Sequence, residues 1–131
     1  LDGFKAVNDG FGHDAGDQVL RVVAQRLTRL IQPNDTLVRL GGDEFALMFY
    51  RPERAALDIR FFEQLLAQAS QTIDYQQHAL QVSVSIGISV YHADSRLSLN
   101  EVLLQADVAM YQAKKAGKNR YCVYDGESNF G

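Results

Sequence analysis

Two adjacent acids, Asp43 and Glu44, follow a glycine pair in the stretch Arg39-Leu40-Gly41-Gly42-Asp43-Glu44-Phe45. Apolar runs of strand length flank them, at residues 36–40 and 45–50. A Gly-Gly pair between such runs predicts a hairpin, because tight two-residue turns need positive φ. Neighbouring strand residues point to opposite faces, so the two acids take different tasks. One can hold a metal ion while the other reaches a different group. The plain alternative is a solvated turn, or an edge-strand charge pair that discourages aggregation. What surrounds the hairpin decides between them.

The elements around it read as follows. Residues 3–9 predict a short helix whose first amides face outward as anion donors. A loop is expected at residues 10–13. A long helix follows at about 14–31, with Leu20, Val23, Ala24, Leu27, Leu30 and Ile31 as its core stripe and Asp14 as its N-cap. Gln32-Pro33-Asn34-Asp35 turns the chain into the hairpin. Residues 54–69 predict a helix buried through Phe61, Phe62, Leu65, Leu66 and Ala69, and residues 72–76 a short strand. From residue 80 to 90 the alternation is almost unbroken, which predicts one strand with a dry face and a face of small polar residues. The small face leaves room for packed helix backbone or for a ligand. Ser98 and Glu101 resemble a capping box. They open a helix to about Ala116, with Leu103, Ala106, Met110 and Ala113 inward, stopped by Gly117. A last strand is expected at residues 119–124. The expected class is α+β, with a mixed, mostly antiparallel central sheet flanked by helices.

The 131 residues suit one domain with a single core. The 13 basic against 16 acidic residues give a net charge of −3, so bulk electrostatics draw the chain to neither nucleic acid nor a membrane surface. An anionic ligand therefore needs a local basic cluster or a metal ion. Cys122 is the only cysteine, so no disulfide forms within the chain, which fits a reducing compartment. No signal peptide and no apolar span of membrane length are found. His13, His78 and His92 lack metal-ligand spacing; His13 is expected to be structural and Cys122 buried. Leu1 and Asp2 look like the tail of a strand already under way.

Several blocks lie in register along the chain: Phe4-Lys5-Ala6-Val7-Asn8-Asp9, Gly12-His13, Gly16-Asp17, Gly41-Gly42-Asp43-Glu44-Phe45, Val84-Ser85-Ile86-Gly87-Ile88, and Ala106-Asp107 through Lys114 to Gly117-Lys118-Asn119-Arg120. Together they resemble the GGDEF domains, the bacterial diguanylate cyclases, over nearly the whole chain. The resemblance implies a palm-like nucleotidyl cyclase fold over residues 1–125, lacking its first strand and the helix before it, with a connector at 126–131. It implies that two GTP molecules, one on each subunit of a homodimer, condense to cyclic di-GMP and pyrophosphate. The alternative is a catalytically silent GTP-binding module that regulates an attached phosphodiesterase or sensor domain. A cytoplasmic setting is expected, with no direct membrane or nucleic-acid contact.

The resemblance also assigns residues. Asp43 and the Leu1 carbonyl are metal ligands, alongside an aspartate that would precede Leu1. Glu44 binds metal or activates the attacking hydroxyl. The ion is Mg²⁺, with Mn²⁺ as its substitute. Asn8 and Asp17 read guanine: a carboxylate can accept from N1–H and the 2-amino group, and an amide can pair with the remaining polar atoms. In isolation Asn8 reads as a turn residue and Asp17 as an acid favouring the helix dipole. The amides of Phe4 and Lys5, Gly42, and the cations Lys114 and Lys118 complete the substrate contacts. Lys114 and Lys118, four apart, are expected on one helical face. The family's inhibitory product site has the pattern Arg-x-x-Asp; Asp35 is present but Gln32 occupies the arginine position. Weak or absent product inhibition follows, since an amide lacks the guanidinium's charge and fork.

Overall fold

The computed structural model describes residues 1–33, 35–41, 44–48, 59–89 and 96–124. It divides into two compact units, Leu1–Ser83 and Val84–Gly131.

The first unit opens with α1 (Phe4–Phe11) and α2 (His13–Leu30), joined by Gly12 alone. The four-residue loop expected at 10–13 is replaced by a one-residue corner. Gly12, at φ 95°, supplies the reversal that an L side chain rarely permits. Its N–H donates to the Asn8 carbonyl at 2.9 Å, and its own carbonyl accepts from Gly16 N–H at 3.3 Å. Gly12 is therefore the N-cap of α2, and no side chain caps that end. Asp14 lies inside the first turn rather than at the cap, where it still favours the helix dipole. The buried stripe of α2 is Ala15, Gly16, Val19, Leu20, Val23 and Leu27, while Ala24, Leu30 and Ile31 are half-buried.

Helix α3 (Ile59–Ala69) buries Phe61, Phe62, Leu65 and Ala69, as its spacing predicts, while Leu66 is only half-buried; the expected start at 54–58 lies outside the described residues. Arg26 of α2 ties down its far end. The guanidinium donates to the carbonyls of Gln68 at 3.4 Å, Gln71 at 2.8 Å and Thr72 at 3.0 Å. These acceptors belong to the last turn of α3 and the residues after it, where carbonyls have no intrahelical donor.

Strands β1 (Thr36–Gly41) and β2 (Glu44–Met48) form the expected antiparallel hairpin. The register runs from Thr36 opposite Met48 to Gly41 opposite Glu44, with an irregularity between Arg39 and Gly41. A second hairpin pairs β3 (Ile73–Tyr75) with β4 (His78–Leu80). Its turn residues Gln76 and Gln77 lie at φ 46° and 68°, the positive values a tight hairpin demands.

The single strand expected from 80 to 90 is broken. Pairing changes partner along it: β4 ends at Leu80, Ser83 makes an isolated antiparallel bridge to Asp2, and β5 (Ser85–Ile88) starts a new ladder. The alternation breaks with it, for Ser85 is buried and Ile86 only half-buried.

In the second unit β5 lies parallel to β6 (Arg120–Val123), and α4 (Leu99–Lys115) makes the crossover between them. Ser98 caps α4: its Oγ accepts Glu101 N–H at 3.2 Å and donates to the Glu101 carboxylate at 3.2 Å. The small face of β5 receives helix backbone. A Cβ on Gly87 would collide with the Ala106 carbonyl and the Met110 N–H and lie 2.9 Å from Met110 Cα. Ser89 Oγ donates to the Val102 carbonyl at 2.7 Å. The fully buried residues of α4 are accordingly small, Ala109 and Ala113, while Leu103, Ala106 and Met110 are half-buried. Cys122 is half-buried in β6 rather than fully enclosed. Helices and mixed strand pairs, two antiparallel and one parallel among the described residues, give the α+β class.

Because the atoms facing Gly87 are backbone, they cannot step aside. Gly87→Ala is expected to lose about 3 kcal/mol or more of folding stability, read as a drop in the urea midpoint.

Candidate functional site

Asn8 lies one turn after Phe4 on α1 and is half-buried; Asp17 lies in the first turns of α2 and is exposed. Their neighbourhood rests on Gly16. A Cβ on Gly16 would overlap the Asn8 amide oxygen, lie 2.9 Å from Asn8 Cγ and 3.3 Å from Phe4 Cζ. The missing side chain lets α1 settle onto the backbone of α2, which carries the Asn8 amide to the residue beside Asp17. Among the described residues neither the Asn8 amide nor the Asp17 carboxylate has a side-chain hydrogen bond or ion pair. A half-buried amide usually has a partner; here both groups of the expected guanine pair are available to a ligand.

Phe4 and Lys5 open α1. Its N-cap, Gly3, sits at φ 85° and offers no side-chain acceptor to the first amides. Phe4 is half-buried and Lys5 exposed. Just before them Asp2 is 7% exposed. It exchanges backbone bonds of 2.8 and 3.2 Å with Ser83 and accepts the Ser83 hydroxyl at 2.9 Å. This latch holds the main chain next to Leu1, whose carbonyl is one of the expected metal ligands.

Glu44 is the first residue of β2 and is exposed. Gly42 and Asp43 fall between Gly41 and Glu44, outside the described residues. No group of three or more His, Cys, Asp or Glu that could hold a metal occurs among the described residues. The expected set has a different make-up: two neighbouring carboxylates and a main-chain carbonyl. Its oxygen chemistry fits a hard divalent cation.

Behind the hairpin, Leu20, Arg21, Ala24 and Thr28 of α2 face Leu37, Arg39 and Phe45 of β1 and β2 across an open groove of about 360 Å³. None of the expected substrate or metal residues lines this groove. The α2 wall begins one turn after Asp17.

In the second unit Lys114 belongs to the last turn of α4 and is half-buried, and Lys118 is exposed. The one-face expectation fails for this pair. Lys118 lies beyond the helix, because the chain closes in a Schellman motif: Gly117 N–H donates to the Lys114 carbonyl at 3.3 Å and Lys118 N–H to the Ala113 carbonyl at 3.0 Å. Gly117 sits at φ 130° and Lys118 at φ 64°, so helical spacing stops two residues short of Lys118.

Gln32 and Asp35 close on each other. Asp35 Oδ2 accepts Gln32 N–H at 2.8 Å, and Asp35 N–H donates to the Gln32 carbonyl at 2.9 Å. The aspartate is thus engaged in its own turn.

Reading by residue type passed over Gly16, Asp2 and Arg26. The signal for Gly16 was present: a glycine one turn before Leu20, at the N-terminal end of the helical core stripe, marks a close approach. Nothing in the sequence pairs Asp2 with a serine 81 positions away.

Comparison with known proteins gives the family. The family described as "Diguanylate cyclase, GGDEF domain" matches residues 1–120. The bifunctional diguanylate cyclase/cyclic di-GMP phosphodiesterase MucR of Pseudomonas aeruginosa is 42% identical over 129 residues, covering 98% of this chain and 18% of MucR. The probable diguanylate cyclase DgcE of Escherichia coli is 37% identical, over 95% of this chain and 11% of its own length. Among solved structures, an EAL/GGDEF domain protein from M. capsulatus superimposes with a TM-score of 0.84 at 34% identity, over 95% of this chain and 80% of the other. The GGDEF domain of DgcB from Caulobacter crescentus, in complex with c-di-GMP, does so with a TM-score of 0.82 at 31% identity, over 94% and 72%. The chain belongs to the GGDEF domain family. It spans less than a fifth of the curated relatives named here.

An unpartnered amide inside a helix adds nothing to folding, and alanine is the better helix former. Asn8→Ala is expected to leave the urea midpoint unchanged or raise stability by about 0.5 kcal/mol, the opposite of what a structural asparagine would give.

Proposed function

We propose that this domain condenses two GTP molecules into cyclic di-GMP, each held by one copy of the chain, with pyrophosphate as the leaving product. The observation that carries this reading is the Asn8–Asp17 pair. The Asn8 amide packs on the residue next to Asp17, and among the described residues neither side chain has a protein partner, which leaves two groups of the right chemistry for a guanine edge. Family membership supports it.

In this mechanism Asp17 accepts from guanine N1–H and the 2-amino group, and Asn8 pairs with the remaining polar atoms of the base. The N–H groups of Phe4 and Lys5 bind phosphate oxygens at the positive end of α1. Gly42 contacts the nucleotide in this reading. Lys114 and Lys118 neutralise phosphate charge. The 3′-hydroxyl oxygen of one GTP attacks the α-phosphorus of the other. A new O–P bond forms, the bond to the bridging oxygen of the β-phosphate breaks, and pyrophosphate departs with the electron pair. Glu44 takes the hydroxyl proton, directly or through water. The same exchange in the other direction closes the ring. Asp43, Glu44 and the Leu1 carbonyl would hold Mg²⁺, or Mn²⁺ in its place, which offsets charge on the departing pyrophosphate. Two half-sites must meet, so the working unit is a homodimer.

A second reading is a GTP-binding module that regulates a neighbouring domain. It is favoured by one relative, the cyclic di-GMP phosphodiesterase PdeB of Shewanella oneidensis, which is 35% identical over 95% of this chain. Incubation with GTP and Mg²⁺ separates the two. Formation of cyclic di-GMP and pyrophosphate, abolished by Asp43→Ala, supports the cyclase. GTP binding without product supports the module.

Product inhibition through the Gln32–Asp35 turn is expected to be weak or absent. Calorimetric titration should detect no tight cyclic di-GMP binding that depends on Asp35. Tight binding lost in Asp35→Ala refutes this expectation.

A further inference from the structure

We propose that Gly16, rather than serving only as a packing glycine, is the positioning residue that sets base selectivity in the purine site, acting through the Asn8 amide. The proposal rests on the guanine-reading role given above to Asn8 and Asp17. Three observations lead to it. Gly16 is buried in the first turn of α2, four residues after its N-cap Gly12, where glycine is a poorer helix former than alanine. The space a methyl group would need is already filled by the Asn8 amide, with Oδ1 and Cγ both inside contact distance. The other neighbour, Phe4 Cζ at 3.3 Å, need give way only by a few tenths of an ångström. The clash with an added side chain is therefore specific to Asn8.

The Asn8 side chain is in turn held by no hydrogen bond among the described residues. Its orientation depends on packing, and the packing surface is the bare Cα of Gly16. The single-residue corner at Gly12 removes most other freedom. Gly12 N–H is bonded to the Asn8 carbonyl and Gly16 N–H to the Gly12 carbonyl, so backbone positions 8, 12 and 16 form one chain of hydrogen bonds. A methyl at 16 cannot be absorbed by the corner. It must turn the Asn8 amide away from the residue beside Asp17. The carboxylate remains, and phosphate contacts remain. What is lost is the second polar group that separates guanine from other purines. A site built to hydrogen-bond a group discriminates strongly against analogues that lack it, so the effect falls on selectivity more than on nucleotide binding as such.

The test is a double-mutant cycle on the full-length protein, with affinities for GTP and ATP measured by calorimetry for wild type, Gly16→Ala, Asn8→Ala and the double variant. Gly16→Ala is expected to lower the GTP-to-ATP affinity ratio by roughly tenfold or more, to the ratio given by Asn8→Ala. In the double variant the added methyl meets no amide, so its ratio and its unfolding midpoint should match those of Asn8→Ala alone. Should Gly16→Ala fail to fold, the double variant must regain both the fold and the ratio of Asn8→Ala. A double variant that stays unfolded, or is less selective than Asn8→Ala, overturns the proposal. A folded Gly16→Ala with the wild-type ratio overturns it while leaving the GTP reading intact. Absence of GTP binding by the wild type refutes that reading and this inference together.

Discussion

The missing side chain at Gly16 sets how closely α1 and α2 can approach in the first unit. Two helices joined by one residue have little freedom to choose how they cross, and here the choice is made by what a side chain would obstruct. The approach brings an amide from α1 onto the α2 residue that precedes Asp17. The remaining elements of the unit act around that contact. The groove runs along α2 from the next turn, and the β1–β2 hairpin supplies its opposite wall.

The second unit uses the same device for a different end. At Gly87 the absent side chain admits a helix backbone, so that α4 lies close on β5 and its buried residues shrink to alanine. The difference lies in the opposing atoms: at Gly16 a side-chain amide with no hydrogen-bond partner among the described residues, and at Gly87 backbone already committed to a helix.

Much of this was legible from residue order. The hairpin was, because a glycine pair between two apolar runs leaves few alternatives, and so was α4, with Ser98 and Glu101 marking its start and Gly117 its end. Three features were not. The alternation from Leu80 to Ile88 specifies sides but carries no information on partners, and the chain changes partner twice along it. Spacing in the sequence placed Lys118 on a helical face, but the terminal hydrogen bonds of α4 end that periodicity first. Asn8 and Asp17 were nameable one at a time, yet the residue that joins them has no functional group. Its contribution is a volume left vacant, visible only once the crossing of α1 and α2 is known.

Helix α2 is gripped at two levels. Near its start the Asn8 amide lies against it, and further along Arg26 gathers three carbonyls from the end of α3 and the turn beyond. The grips are about ten residues apart, close to three helical turns. A shift of α2 along its axis would break the three Arg26 hydrogen bonds and move the Gly16 surface off Asn8. Arg26 thereby couples the end of α3 to the helix that carries Gly16 and Asp17, so a change at the far end of α3 is transmitted to that helix.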